Sequence, residues 1–384
     1  MKTKILIIDE VSMGHRHIYE AIDRSLRELR GLEKPMGGLC TVFAGDWRQC
    51  LPVIPRGSEA QIVDACLKFS PLWPSVRVFN LKENMRVKMA GSEDMAEFSD
   101  WLLTIGDGRC GDGVVDIPPE MFTEEDRLDS LTDFIFPDIE KNCADPKWLS
   151  KRAILCPTNA EAEEINNVMI NPFPGELVQF KSIDSTEDNS TEYTPEFLNT
   201  CSLPGLAPHS LNLKLGAPVV LLRNMDARNG HCNGVKYMVR NIRPHVIELM
   251  AISESMAGST LFLPRIIMIS ESPVLPFTLR RRQFPVRLCF GMTANKSQGQ
   301  TLDKVGIYMN ADFFTHGQVY VALRRCGERK NIKILKRLER GAKKANTDQE
   351  CSLQICPHLI VSYNANKFNI KSCVKGTKLW LELI

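Results

Sequence analysis

The chain has 384 residues, 43% of them apolar and 24% charged, which is the balance of a soluble globular protein long enough for two or three domains. A formal net charge of +2 excludes an overall field that gathers nucleic acid, though not a local basic groove. No apolar run approaches the ~18 residues of a membrane span, no signal region opens the chain, and the 13 cysteines, odd in number and scattered singly, fit reduced intracellular thiols rather than a disulfide framework.

The first element is a run of four apolar residues, Ile5 to Ile8, that reads as a buried strand ending on Asp9 and Glu10. Phosphoanhydride hydrolysis needs Mg2+ near the phosphates and a group that positions water. Adjacent carboxylates at a strand end can supply both, Asp9 to the metal and Glu10 to the water; an acidic pair there serves equally as a turn or helix cap. A helix is expected from His17 to Arg30, with Ile18, Ile22, Leu26 and Leu29 on one face and Gly31 as its stop. "LCTVFAGD" reads as the next strand, and "GDWRQCLPV" then places Gln49 to sense a terminal phosphate, with a plain turn before Pro52 as the alternative. "SVRVFNL" leads to "ENMR", whose Arg86 can stabilise charge on a transferring phosphoryl group or simply be solvated.

From Gly106 to Pro146 the chain is rich in Asp, Glu, Pro and Gly and reads as a linker or a small exposed subdomain. "AILCPTN" is a strand ending at Thr158-Asn159, and "NAEAEEINNVMI" a helix opened by an Asn cap with glutamates in its first turns. Between about Leu206 and Pro285, short strand-like runs with the turn pairs Asn229-Gly230 and Asn233-Gly234 indicate a small antiparallel barrel inserted into an α/β domain. Arg280, Arg281, Arg282 and Arg287 flank Phe284-Pro285; they either track a nucleic-acid backbone, with Phe284 stacking on bases, or form a solvated linker. "VRLCFGMTANKSQGQTL" runs from a buried strand into a loop of amides and small hydroxyls of the kind that grips phosphodiesters without reading bases. "HGQVYVALRRC" reads as a helix bringing Arg325 toward a phosphate, or as an amphipathic helix with a basic end that suits its dipole. Past Leu335 no periodicity is legible; Cys351, Cys356, His358 and Cys373 are spaced too irregularly for a zinc site. Uninterrupted apolar runs alternating with helices, each stopping at polar residues, indicate parallel strands covered on both faces with ligands at their carboxyl ends.

In order, "IIDEVSM", "GDWRQCLPVIPRG", "LKENMR", "MTANKSQGQTL" and "HGQVYVALRR" resemble the second to sixth motifs of superfamily-one DNA helicases. More narrowly they resemble the Pif (petite integration frequency) helicases and their Helitron-associated branch, and "HRHIYEAIDRSLREL" and "RAILCPTNAEAEEINNVM" extend the resemblance over about residues 3 to 335. It implies an α/β fold of two RecA-like parallel-sheet domains, the first incomplete, with an SH3-like β-barrel insertion in the second. The expected bounds are 1–103 for the first domain, 104–146 for a linker or wedge, 147–205 with 286–336 for the second, 206–285 for the insertion, and 337–384 for an unassigned tail. The implied activity is ATP-driven 5′-to-3′ movement of a monomer on single-stranded DNA and at duplex junctions, in repair, recombination, telomere maintenance or Helitron transposition. The implied setting is the nucleus, with cytoplasm or mitochondrion as alternatives. Asp9 would serve Mg2+, Glu10 would be the base, Gln49 would contact the γ-phosphate of ATP, and Arg86 and Arg325 would clamp it. Thr293, Asn295, Lys296 and Ser297 would bind DNA, with Gln298 and Gly299 linking that loop to nucleotide.

The chain departs from the family in three places. The phosphate loop G-x-x-x-x-G-K-[ST] should precede Asp9, yet no Gly-Lys dipeptide occurs anywhere. The expectation is therefore a chain truncated in its gene model or encoded by a degraded transposon copy, with little ATPase activity. Arg324 stands where the family usually has a serine, and the tail from about Arg337 matches nothing in it. Two other functions stay open: a non-catalytic module that holds single-stranded DNA, and a nucleotide hydrolase acting on something other than DNA.

Overall fold

The computed structural model describes residues 3–109, 114–187, 193–253, 256–270, 275–310 and 312–337, together with the backbone of two strands, Ser352–Gln354 and Lys378–Glu382. The cysteines and histidine weighed for zinc, Cys351, Cys356, His358 and Cys373, lie outside the described residues. Contacts divide the chain into two compact units. One holds Met1–Pro119, Asp312–Arg329 and the Lys378–Glu382 strand; the other holds Glu120–Ala311 and the Ile332–Lys336 strand. The "HGQVYVALRR" segment, expected in the second domain, therefore packs with the first unit.

The sheet of the first unit is parallel, in the order Ile5–Ile8, Cys40–Gly45, Lys378–Glu382, Val76–Asn80. The unassigned tail thus places one strand in the middle of a sheet otherwise built from the first eighty residues. Ile5–Ile8 is not buried on both faces. Leu6 and Ile8 pack against the core of Val11, Tyr19, Phe43 and Leu67, while Ile5 and Ile7 are 55% and 67% exposed. A run of four apolar residues reads the same whether one face is covered or two, so the pattern alone could not separate these cases.

The helix after it, Arg16–Arg30, ends at Gly31 with φ 60, as expected. Its inward stripe is different: Tyr19 and Asp23 are buried, with Ile22 and Leu26 packed beside them, whereas Ile18 and Leu29 are exposed. Asp23 tolerates burial because its carboxylate accepts the Met36 amide and pairs with Arg27 Nε at 2.8 Å.

In the second unit the parallel sheet runs Gly291–Thr293, Arg152–Cys156, Lys304–Met309, Ile332–Lys336. Here the two-faced burial read from sequence holds: Ala153, Ile154, Leu155 and Cys156 are wholly inaccessible, as are Val305, Ile307 and Tyr308. Helix Asn159–Ile170 packs Ile165 and Met169 into this core. Its cap is Thr158, not Asn159: Thr158 accepts the Glu161 amide, and Glu161 in turn accepts the Thr158 amide at 3.0 Å. The stretch from Gly106 to Pro146, expected as a linker or a small exposed subdomain, contributes part of its length to this core. Helix Leu128–Ile135 buries Leu128, Leu131 and Ile135 in the same core, with Phe136 and Ile139 following. Acidic and Pro-rich flanks hid one amphipathic stripe of i, i+3, i+4, i+7 spacing.

Antiparallel strands fill the rest of this unit, and they reach beyond the expected 206–285. One sheet runs Thr260–Pro264, Val246–Ala251, Lys236–Ile242, Pro218–Leu221, Val286–Leu288; a second runs Ile266–Ser270, Leu279–Gln283, Ile183–Thr186; Val178–Lys181 pairs with Ser210–Leu213. The run "VRLCFGMT" is consequently two strands, Val286–Leu288 antiparallel to Pro218–Leu221 and Gly291–Thr293 parallel to Arg152–Cys156.

Alternation along Leu279–Gln283 buries Leu279, Arg281 and Gln283. Arg281 is 1% exposed; its Nε and Nη2 donate to Asp184 at 3.0 and 2.7 Å, and Nη1 donates to the Ala207 carbonyl at 3.1 Å. Phe284 is fully buried against Phe180, centroids 5.0 Å apart. Neither residue can meet a nucleic acid, so the arginine cluster read as one feature is not one.

Removing one partner of this buried ion pair strands the other. Asp184→Ala is expected to lower the free energy of unfolding by about 3–5 kcal/mol, read from urea midpoints, whereas Asp184→Ala with Arg281→Met is expected to recover most of that loss.

Candidate functional site

In the first unit the residues singled out from sequence lie at or just beyond the carboxyl ends of the parallel strands, where ligands sit in such sheets. Ile5–Ile8 hands over to Asp9 and Glu10, Cys40–Gly45 to Asp46 and the turn through Gln49, and Val76–Asn80 to the helix Met85–Ala90, whose cap Asn84 accepts the Arg86 amide at 3.1 Å. Glu10 sits at φ 52, the left-handed region that a residue with a Cβ adopts only under constraint. One of its carboxylate oxygens, Oε2, is buried without a hydrogen-bond partner among the described residues. Burial raises the Glu10 pKa, Asp9 and Asp46 raise it further, and Arg325 and Arg324 oppose the rise. A half-buried carboxyl with raised proton affinity and an unfilled lone pair is suited to taking a proton from water.

Asp46 is the centre of this arrangement. It is completely buried, and its carboxylate accepts the Arg48 amide at 3.0 Å, Gln49 Nε2 at 3.3 Å, the Tyr320 hydroxyl at 3.3 Å and Arg324 Nη1. Tyr320, Arg324 and Arg325 belong to the helix Gln318–Leu323 and its end, which two contacts fix against the turn. Gly317, at φ 74, lies so close that a Cβ would come within 2.5 Å of the Gln49 carbonyl carbon. His316 Nε2 donates to the Trp47 carbonyl at 3.2 Å; burial lowers the imidazole pKa, so it is neutral at pH 7. Arg325 is 6% exposed and donates Nε to the Val321 carbonyl at 3.0 Å. Desolvation, then Arg324, lower its pKa to about 10, Glu10 opposes this, and Arg86 adds repulsion. It keeps its charge at neutral pH. Asp9, Glu10, Gln49, Arg86 and Arg325, named from sequence, thus lie in one electrostatic neighbourhood of the first unit.

Among the described residues no group of three or more His, Cys, Asp or Glu forms a metal cage. Mg2+ does not need one, since it takes one or two carboxylates and fills its shell with water and phosphate oxygens. Exposed Asp9, next to Glu10 at the strand end, fits that demand. The residues missed by sequence are Tyr320 and Arg324. The tyrosine gave no signal inside an apolar helix, and Arg324 drew notice only as a misfit. It pairs with Asp46.

Thr293, Asn295, Lys296, Ser297, Gln298 and Gly299 lie in the second unit, in the loop after strand Gly291–Thr293. Thr293 is 8% exposed and Ser297 is fully buried, its Oγ donating to the Ala294 carbonyl, so both shape the loop rather than present a surface. Gly299, at φ 75, turns the chain out of it. Lys296 faces outward. Its Nζ donates to Asn159 Oδ1 at 3.1 Å, and Arg287 Nη1 donates to the same oxygen at 3.2 Å. Two cations share this one neutral acceptor beside the start of helix Asn159–Ile170, with Glu163 the carboxylate that acts on Arg287. Although much of Lys296 reaches solvent, loss of hydration around its ammonium and repulsion by Arg287 lower its pKa to about 8. Both features suit an anion such as a phosphodiester.

Residues 1–115 match the family model described as PIF1-like helicase, and residues 196–242 match that of the 2B domain of DNA helicase Pif1. The ATP-dependent DNA helicase PIF1 of Danio rerio is 26% identical over 332 residues, covering 86% of this chain. The chain spans about half the length of that relative, 46%. Among solved structures, the Pif1 helicase from Candida albicans is 25% identical, with a TM-score of 0.58 over 87% of this chain and 72% of that one. The Bacteroides Pif1 helicase in complex with ADP-AlF3 and ssDNA is 24% identical, with a TM-score of 0.59 over 87% of this chain and 70% of that one. In sequence and in fold the chain is thus similar to PIF1-like helicases.

Two outcomes follow from this geometry. Gly317→Ala is expected to cost about 1–3 kcal/mol, seen as a lower thermal midpoint, because the methyl group meets backbone and φ is positive. Anion binding at Lys296 is expected to be full below about pH 7 and to weaken as pH rises through 8, by at most tenfold per unit. Lys296→Arg removes this pH dependence while keeping affinity; a wild-type isotherm that is flat from pH 7 to 9 contradicts the assignment.

Proposed function

We propose that this chain is motor-core sequence of a Pif1-type ATP-dependent DNA helicase of the Helitron-associated branch, acting as a monomer on single-stranded DNA and at duplex junctions. The reading is carried by one observation: Asp9, Glu10, Gln49, Arg86 and Arg325, from four separate stretches of sequence, gather in one unit around the carboxyl ends of its parallel strands. In it, Glu10 takes the proton of the attacking water, Gln49 reports the terminal phosphate, and Arg86 and Arg325 meet the negative charge that builds on the transferring group. Asp9 would hold Mg2+, which would neutralise phosphate charge. Asn295 and Lys296 meet the DNA on a loop whose shape Thr293 and Ser297 hold from within, and Gln298 and Gly299 couple it to nucleotide. The Bacteroides relative bound to ADP-AlF3 and ssDNA supports both ligands for this chain. A nuclear setting accords with the family resemblance.

A second reading has its own observation. With no Gly-Lys dipeptide in these 384 residues, a triphosphate finds neither the amide cradle nor the lysine that such motors use. By themselves these residues then act as a single-stranded DNA-binding module. Two measurements test the pair. A polypeptide of this sequence is expected to bind a fluorescein-labelled oligothymidine at low salt, with affinity falling steeply as salt rises, and Lys296→Ala is expected to weaken that binding. Its ATP turnover with the same oligonucleotide is expected at background. Turnover abolished by Glu10→Gln overturns the second reading, and absence of binding at low salt overturns both.

A further inference from the structure

The sheet that buries Arg281 has an opposite face that the site above does not use. In register across its three strands lie Ile267, Arg282 and Ile183, and next to them Ile269, Arg280 and Ser185. Ile183, Ile267 and Ile269 are 64%, 52% and 49% exposed, and no acidic residue stands in either row. The face runs into a groove of about 420 Å³ whose lining includes Phe180 and Ile242 with Arg243, His245, Arg265 and Arg282, and again no carboxylate. Arg265 is fixed there: its guanidinium lies 5.2 Å from both the Phe180 and Phe284 rings, and Nη1 donates to the Lys181 carbonyl at 3.2 Å. Its Nε is buried without a hydrogen-bond partner among the described residues.

Arginines often guard the edges of sheets against pairing. These do not, because Arg280 and Arg282 lie on Leu279–Gln283, the central strand, while the edge strands carry the isoleucines. The cations are therefore aimed over the face. Residues two apart on a strand are separated by about 6.8 Å, a spacing comparable with successive phosphates of an extended single strand. Guanidinium forks take phosphates bidentately, and the isoleucines on the strands either side of them offer bases an apolar bed without hydrogen-bonding groups to read them.

We propose that this face and groove form a second, sequence-tolerant surface for single-stranded DNA, separate from the Lys296 loop. The choice of DNA rests on the functional reading above; the geometry of the face does not.

The test uses the full chain and a fluorescein-labelled oligothymidine titrated at several salt concentrations. Arg280→Gln with Arg282→Gln is expected to weaken binding roughly tenfold at low salt and to make the slope of log affinity against log salt shallower by about 1.4, two phosphate contacts at about 0.7 each. Ile183→Glu, at an exposed position that folding tolerates, is expected to weaken binding as well; thermal melts confirm that each variant is folded. Unchanged affinity and slope in both variants overturn the proposal, as does tighter binding of oligouridine than oligothymidine, or displacement by an acidic aliphatic peptide that leaves DNA bound. Lys296→Ala separates the two ideas: if it has no effect while the face variants weaken binding, this surface stands and the reading of the Lys296 loop falls.

Discussion

The first unit is organised by one buried carboxylate. Asp46 has no solvent to hydrate it, and removing a carboxylate from water costs several kcal/mol unless its lone pairs are filled. They are filled by an amide, an amide side chain, a phenol and a guanidinium, two of them on its own turn and two from residues more than 270 positions further along. That demand joins the strand-end turn to the Gln318–Leu323 helix. Gln49 is oriented by it, and Arg325 follows directly on the Arg324 that satisfies it.

The charge pattern around Glu10 depends on the same tether. Two carboxylates push its proton affinity up and two guanidiniums push it down, and both Asp46 and Arg324 are in that set. Paired to each other, they act on Glu10 in opposite directions. The larger influences are burial, then Asp9 raising its proton affinity and Arg325 lowering it. A carboxylate whose environment is fixed by such a pair needs little reorganisation when charge moves, which is the condition under which preorganised dipoles are worth most. The left-handed backbone at Glu10 fits this picture, since strain of that kind survives only where surrounding contacts over-determine it.

Much of this was legible in the sequence because strand ends concentrate unlike residue types in short strings. An acidic pair after four apolar residues, a Gly-Asp before a glutamine and a Thr-Ala-Asn-Lys-Ser loop each departs from what a core or a solvated surface would contain. Tyr320 was not legible, for the opposite reason: its ring belongs in an apolar helix whether or not its hydroxyl has a task. Helix faces were harder still. Ile18 and Tyr19 are adjacent, both apolar, and only packing against Phe43 and Met36 decides that the stripe begins at Tyr19. The buried Asp23 that completes this stripe looks like a surface residue until its partner amide is known. In the same way, Leu128 to Ile135 disappeared into acidic surroundings, and the place of residues 378–382 in the first sheet depends on long-range pairing that no local pattern encodes.

Three consecutive arginines show what a local pattern can and cannot say. On a strand, neighbours point to opposite faces, so "RRR" cannot be one basic patch. Arg281 spends all its donors inside the protein, and each of its hydrogen bonds ties this strand to something else: Asp184 on the neighbouring strand, the Ala207 carbonyl, the Leu198 carbonyl. Holding the middle strand in register is what aligns Arg280 and Arg282 with the isoleucines beside them. A slip of one residue would exchange the two sets, burying two unpaired guanidiniums and exposing the ion pair. The buried arginine thus decides which of its neighbours can face a ligand, and the sheet face owes its charge to a residue that never reaches it.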